Sequence, residues 1–169
     1  MTSIGVVIVS FNTSALLRGC LESLRSCALP LRVVVVENGS RDDSAAMVRA
    51  CFPAAELVAL EQNVGFAAGT NIGIRRSGIS YWGLGAQELP IPNTQSLSPD
   101  YVLLLNPDTI VHPGAIESLA AFLDAHPRVG RERMTRRGER RPQRIVEPAC
   151  VQPLDELVVR QLSEWTQVR

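Results

Sequence analysis

Apolar residues fall along this chain in two alternating patterns. Continuous runs at Ile4–Ser10, Val33–Val36, Leu57–Leu60 and Tyr101–Leu105 lack polar alternation, as expected of strands buried on both faces of a parallel sheet. Leu16, Leu17, Cys20, Leu21 and Leu24 instead recur at helical spacing and predict an amphipathic helix that closes before Pro30. Ser40 and Asp43 have capping-box spacing for a short helix through Ala45, Val48 and Cys51. A third helix is expected to reach about Arg76. Pro113 opens a fourth, with Ile116, Leu119, Ala120 and Leu123 on one face and an end at His126-Pro127. This alternation predicts an α/β fold with a doubly wound, mostly parallel sheet.

Two stretches break the pattern. Ser77 to Pro99, rich in Gly, Pro and Ser, is an insertion between a helix and the strand at Tyr101, too long for an ordinary connection. Arg131 to Pro148 carries seven Arg and three Glu and is expected to be solvated and mobile. Residues 1–130 therefore read as one domain, and 131–169 as an irregular, Arg-rich tail. Within that tail Leu154, Leu157, Val158, Leu162 and Trp165 suggest one more amphipathic helix after Pro153.

Composition narrows the class. A hydrophobic content of 46% supports a real core, and a formal net charge of zero gives no global attraction to nucleic acid or anionic membrane. All 17 basic residues are Arg. Cys20, Cys27, Cys51 and Cys150 have no paired metal spacing, which fits buried thiols in a reducing, cytosolic setting. Cys20 and Cys27, seven apart, are expected on one face of the first helix. The segment from Met1 to Asn12 lacks the features of a signal peptide.

Each strand ends on polar or glycine residues. Ser10 and Asn12 follow the first, Glu37 and Asn38 the second, Asn63 to Asn71 the third, and Asn106, Pro107, Asp108 and Thr109 the fourth. Asn12 and Ser40 can be read as helix caps, Gly39 as a turn, Gly65 and Gly69 as a tight loop, and Asp108 or Thr109 as a cap. In open α/β sheets, however, ligands bind outside the carboxyl ends of the strands, so four such ends point to a shared ligand. A carboxylate or amide at 37–38 could accept the N–H of a base. Gly65 and Gly69 would let the backbone approach a flat ring, and Asp108 could hold a divalent cation through oxygen.

In this order and spacing the segments Val-Val-Ile-Val-Ser-Phe-Asn12, Val-Glu-Asn-Gly-Ser40, Asn63-x-Gly-Phe-Ala-Ala-Gly-Thr-Asn71 and Leu-Leu-Leu-Asn-Pro-Asp-Thr109 resemble glycosyltransferase family 2, with its GT-A fold. The Asn-Pro-Asp form is similar to that of rhamnosyltransferase-like members. The resemblance implies transfer of a sugar from a dTDP- or UDP-sugar to a glycan or lipid-linked acceptor in bacterial surface polysaccharide synthesis, by inverting displacement. It further implies a Mn2+ or Mg2+ ion at Asp108, with Asn106 where the motif's first Asp usually stands, and Glu37 or Asn38 facing the pyrimidine. Asn63, Gly65, Gly69 and Asn71 would shape the nucleoside pocket, with Ser10 and Asn12 completing the donor site. A cytoplasmic protein is expected, with peripheral membrane contact and homo- or hetero-oligomers open to it, and without a nucleic-acid partner.

Family members usually continue for a hundred or more residues beyond this motif, whereas here 61 positions follow Asp108. A truncated or frame-shifted product is therefore a second expectation, a non-catalytic remnant that binds nucleoside diphosphate or a partner subunit. Asp155-Glu156, the acidic pair of the tail, lacks the flanking family pattern and is not assigned as the base. A dinucleotide-binding oxidoreductase is disfavoured, because no G-x-G-x-x-G follows the first strand.

Overall fold

A computed structural model describes residues 2–78 and 99–126 of the protein, together with the backbone of 144–146 and 160–161. The elements run β1 (Ile4–Ser10), α1 (Ser14–Ser23), a 3-10 turn (Leu24–Ser26), β2 (Leu31–Glu37), α2 (Ser44–Cys51), β3 (Glu56–Ala59) and α3 (Phe66–Arg76). They continue with β4 (Tyr101–Leu105), β5 (Thr109–Ile110), α4 (Ala115–Ala125), β6 (Arg144–Val146) and β7 (Arg160–Gln161). Five parallel strands form the main sheet in the order β3-β2-β1-β4-β6. The α/β class and the parallel sheet read from the hydrophobic runs are therefore present.

The runs lack polar alternation because both faces of the sheet are covered. Val6 and Ile8 of β1 join Val35, Leu103 and Leu105 in a core closed by Leu17, Cys20, Met47, Val48, Ile116, Ala120 and Leu123 of α1, α2 and α4. Val7 and Val9 point to the other face, where Ile74 and Ile72 of α3 cover them. Glycine allows α3 to lie that close. A Cβ on Gly73 would stand 2.3 Å from Val7 Cγ1, and one on Gly69 would stand 3.0 Å from Val9 Cγ1. Gly69 thus packs helix against sheet; its bare Cα faces β1.

Several expectations need correction. α1 stops at Ser23, so Cys20 is buried within the helix, whereas Cys27 lies beyond the 3-10 turn in extended backbone and is half-buried. The capping box of Ser40 and Asp43 does not form: α2 starts at Ser44 after Asp43, which makes no side-chain cap. Asp42 takes that part, its Oδ1 accepting from Ser44 N at 3.0 Å and Ser44 Oγ at 2.5 Å. Asn12 is likewise no cap, for the residue before α1 is Thr13. The third strand is Glu56–Ala59, one position earlier than read, and α4 starts at Ala115 after Gly114, whose φ is +81°.

The reading of the tail changes most. Arg144–Val146, inside the stretch expected to be solvated, pairs in parallel with Tyr101–Leu103 as the fifth strand. Arg160–Gln161, inside the expected terminal helix, pairs antiparallel with Thr109–Ile110. The rest of the tail, Cys150 included, and residues 79–98 of the insertion lie outside the described residues. Among the described residues no helix is long and apolar enough to cross a membrane.

Candidate functional site

Strand order fixes where a ligand can enter. The chain steps from β1 through β2 to β3 on one side and then returns to place β4 on the other side of β1. The carboxyl ends of β1 and β4 therefore diverge, and such a switch point is where open α/β sheets bind ligands. Ser10-Phe-Asn12 leaves one strand there, and Asn106-Pro-Asp108 leaves the other.

The loops after β1, β2 and β3 are joined into one platform by their own polar groups. Asn12 has a φ of +52°, a conformation asparagine tolerates better than most residues. Its backbone N donates to Ser40 Oγ at 2.9 Å, and its Oδ1 accepts from Arg41 N at 2.9 Å. Ser14 N donates to Asp42 Oδ2 at 3.0 Å, and Ser10 and Thr13 share a hydroxyl contact of 2.8 Å. Desolvation works against the Asp42 carboxylate, but hydrogen bonds from Ser44 and Ser14 outweigh it and hold the group below its ordinary range.

The second seam joins β2 to β3. Asn38 N donates to Ser10 O at 2.8 Å. Its side chain donates from Nδ2 to Asn63 Oδ1 at 3.0 Å and accepts at Oδ1 from Val64 N at 2.9 Å. Asn63 Oδ1 also accepts from Gly65 N at 2.8 Å. Glu37 is buried and caps its own loop, with Oε1 accepting from Ser40 N at 2.8 Å. Glu37, Asn38 and Asn12 thus spend their side chains on holding the loops, which leaves backbone edges and exposed side chains to face a ligand. Gly65 is exposed, with a φ of +87° and open space where a Cβ would stand. Asn71 is half-buried in α3.

Across the switch point, Asn106 is exposed, and its carbonyl accepts from Thr109 N at 3.2 Å to close the turn. Cys20 of α1 donates its thiol to the same carbonyl at 3.7 Å from beneath. Asp108 is half-buried, and its Oδ1 is enclosed with no hydrogen-bond partner. A carboxylate oxygen left unpaired in that way is costly to the free protein, and a cation is the partner that suits it. Among the described residues no three of His, Cys, Asp and Glu gather into a metal site. A hard cation held by one carboxylate and completed by phosphate oxygens needs no such cluster, so the donor set fits Mg2+ or Mn2+. The residues not singled out by sequence were Thr13 and Asp42, which serve the loops, and Thr70, whose buried hydroxyl is also unpaired. The bond of Asp42 to Ser14 N could have been found only by knowing that the first two loops touch, whereas Thr13 pairs with Ser10 within its own loop.

Cys20 reports on the dryness under the turn. Burial, with Asp108 nearby adding to it, pushes its thiol up to about 12. A thiol raised in the fold stabilises fully below its unfolded value near 9.0 and loses that contribution as pH rises towards about 12. We expect iodoacetamide at pH 8 to leave Cys20 unmodified in the native protein while half-buried Cys27 reacts, as read by peptide mass mapping. Equal labelling of the two would contradict the packing under Asn106.

No curated protein matches the sequence. The chain is similar in structure to TarS residues 1–349 from S. aureus, with a TM-score of 0.56 and 20% identity over 75% of this chain and 33% of that one. The same TarS fragment in complex with UDP-GlcNAc gives a TM-score of 0.56 and 21% identity over 75% and 32%. The mannosyltransferase PcManGT from Pyrobaculum calidifontis, in complex with GDP-Man and Mn2+, gives 0.56 and 20% over 75% and 33%. The chain thus spans about a third of the length of these structures. Residues 5–81, from β1 to just past α3, match the family model described as Glycosyl transferase family 2, and the parallel sheet with its flanking helices has the GT-A fold of these structural neighbours.

Proposed function

We propose that this chain carries the donor-binding domain of a nucleotide-sugar glycosyltransferase of the rhamnosyltransferase-like kind. It takes a dTDP- or UDP-sugar and transfers the sugar, with inversion, to a glycan or lipid-linked acceptor of a bacterial surface polysaccharide. The observation that carries the reading is the unpaired, enclosed Oδ1 of Asp108 at the switch point. The segment matched by the family model ends before that strand, so the turn supports the reading independently of the match.

Asp108 would hold the cation, with Asn106 beside it on the same turn. A divalent cation there supplies Lewis-acid stabilisation of charge on the departing diphosphate. The platform of Ser10, Asn12, Glu37, Asn38 and Asn63 holds the loops rigid, so that the backbone at Gly65 and the first turn of α3 meet the nucleoside in fixed geometry. Gly69 lets α3 pack close against β1, and we assign Asn71, half-buried in the same helix, to the donor site. We place the protein in the cytoplasm, peripheral to the inner face of the membrane, where a lipid-linked acceptor is presented. We assign residues 1–130, with Arg144–Val146 as an edge strand of the sheet, to the donor domain.

Calorimetric titration of UDP and dTDP, with and without Mn2+, tests this. Binding that requires the metal is the expected result. A folded protein that takes up neither nucleotide with Mn2+ present would overturn the proposal and leave the remnant reading.

A further inference from the structure

We propose that Thr70 is a donor-binding residue, its hydroxyl pairing with an anionic oxygen of the bound nucleoside diphosphate. The inference rests on the function just proposed. Among the described residues, Thr70 Oγ1 and Asp108 Oδ1 are the buried side-chain oxygens without a hydrogen-bond partner, and Thr70 is only 8% exposed. A threonine inside a helix ordinarily donates to a carbonyl one turn back, which here is that of Phe66. Ser77, at the end of the same helix, does bond back, its Oγ donating to Ile74 O at 2.7 Å. Thr70 makes no such bond. Valine has the same shape and would fill the position without a stranded hydroxyl, so packing alone does not explain threonine there.

The register of α3 places that hydroxyl. Gly73 lies over Val7 and Gly69 over Val9, so the helix runs antiparallel to the strands with its amino end at their carboxyl edge. Ile74 packs with Val7, Val102 and Leu104, on the flank of α3 that faces β4. Thr70 is one turn before Ile74 and shares that flank. It therefore sits nearer the carboxyl edge, at the level where β1 and β4 part. Asp108, bearer of the other unpaired oxygen, closes the turn at the end of β4. A hydroxyl can donate to a phosphate oxygen directly, whereas a carboxylate reaches one only through a cation. The amino end of α3 adds to the attraction, since Gly65 provides no side-chain cap and the first turn contains no acidic residue.

The hydroxyl gains its partner only when the donor is bound, so its loss is felt in affinity and not in the fold. Titration of UDP and dTDP in the presence of Mn2+ into wild type, Thr70→Val and Thr70→Ser tests this, with thermal unfolding of each recorded alongside. We expect Thr70→Val to unfold at the same or a higher temperature and to bind roughly 10- to 100-fold more weakly. Thr70→Ser, which keeps the hydroxyl, should stay within a few-fold of wild type. Thr70→Val binding as tightly as wild type overturns this assignment alone and leaves the donor site standing. Thr70→Ser weakened as much as Thr70→Val also overturns it, because a variant that keeps the hydroxyl should then have kept the binding. No binding to wild type overturns the assignment together with the function on which it rests.

Discussion

Replacing Gly39 by alanine is expected to cost about 3 kcal/mol of stability, because two penalties meet at that residue. Its φ is +75°, where a side chain is strained by roughly 1 kcal/mol or more. A Cβ there would also stand 2.5 Å from the carbonyl carbon of Gln62 and 2.7 Å from Asn63 N. Both are backbone atoms, so no rotamer change relieves the clash, and the loop after β3 must move as a whole. That movement would pull Asn63 from Asn38 and Val64 N from the Asn38 amide, the two bonds that seam the loops together. Gly114→Ala is the control. Its φ of +81°, in the left-handed region, is as unfavourable, yet nothing lies within 4 Å of the added carbon, so it should cost only about 1 kcal/mol. Urea unfolding separates the cases, and equal losses in the two variants would refute the argument from close approach.

The strand interiors were legible because burial on both faces leaves an apolar run, although β2 extends to Leu31 and Glu37 beyond the run at Val33–Val36 and β3 starts one position early. β1 and β4 could be delimited to the residue, Ile4–Ser10 and Tyr101–Leu105, on that signal alone. The short strands were not. Thr109–Ile110, Arg144–Val146 and Arg160–Gln161 owe their pairing to partners distant in the chain. A segment of two or three residues in Arg-rich sequence has no period of its own to reveal it. Helix starts were misplaced for a related reason. Ser40 has the spacing of a cap, but its hydroxyl is taken by Asn12 N across two loops, and Asp42 serves α2 instead.

The gathering of polar residues at one edge of the sheet was legible, and the partners of their side chains were less so. Asn12, Asn38 and Asn63 do gather at the carboxyl edge, yet hydrogen bonds between loops use their side chains. Gly69 answers to Val9 at 3.0 Å, a constraint set by how α3 crosses β1 and invisible in a motif of glycines. What sequence could not indicate at all is which polar atoms remain unpaired once folding is complete. Among the described residues those atoms are Thr70 Oγ1 and Asp108 Oδ1.

Substituting Asp108 with asparagine should therefore separate function from stability more cleanly than any other change in this chain. Asparagine keeps the shape of the side chain and removes its charge, leaving a neutral amide atom in the enclosed place of Oδ1. A charged group in that state weakens the free protein, so its neutral counterpart should unfold at the same urea concentration or a higher one. Divalent cations of the Mg2+ and Mn2+ kind depend on charged oxygen ligands, and an amide is a poor replacement. We expect the gain in UDP or dTDP affinity produced by Mn2+ to fall by about 100-fold or more, in line with the loss of a direct metal ligand. Any weak binding that needs no metal should persist, because the platform formed by Asn12, Asn38 and Asn63 is untouched. Calorimetry with and without Mn2+ reads the first quantity, and urea unfolding reads the second. An Asp108→Asn protein that unfolds earlier yet binds as tightly as before would assign the carboxylate to the turn after β4 and remove the cation from the site.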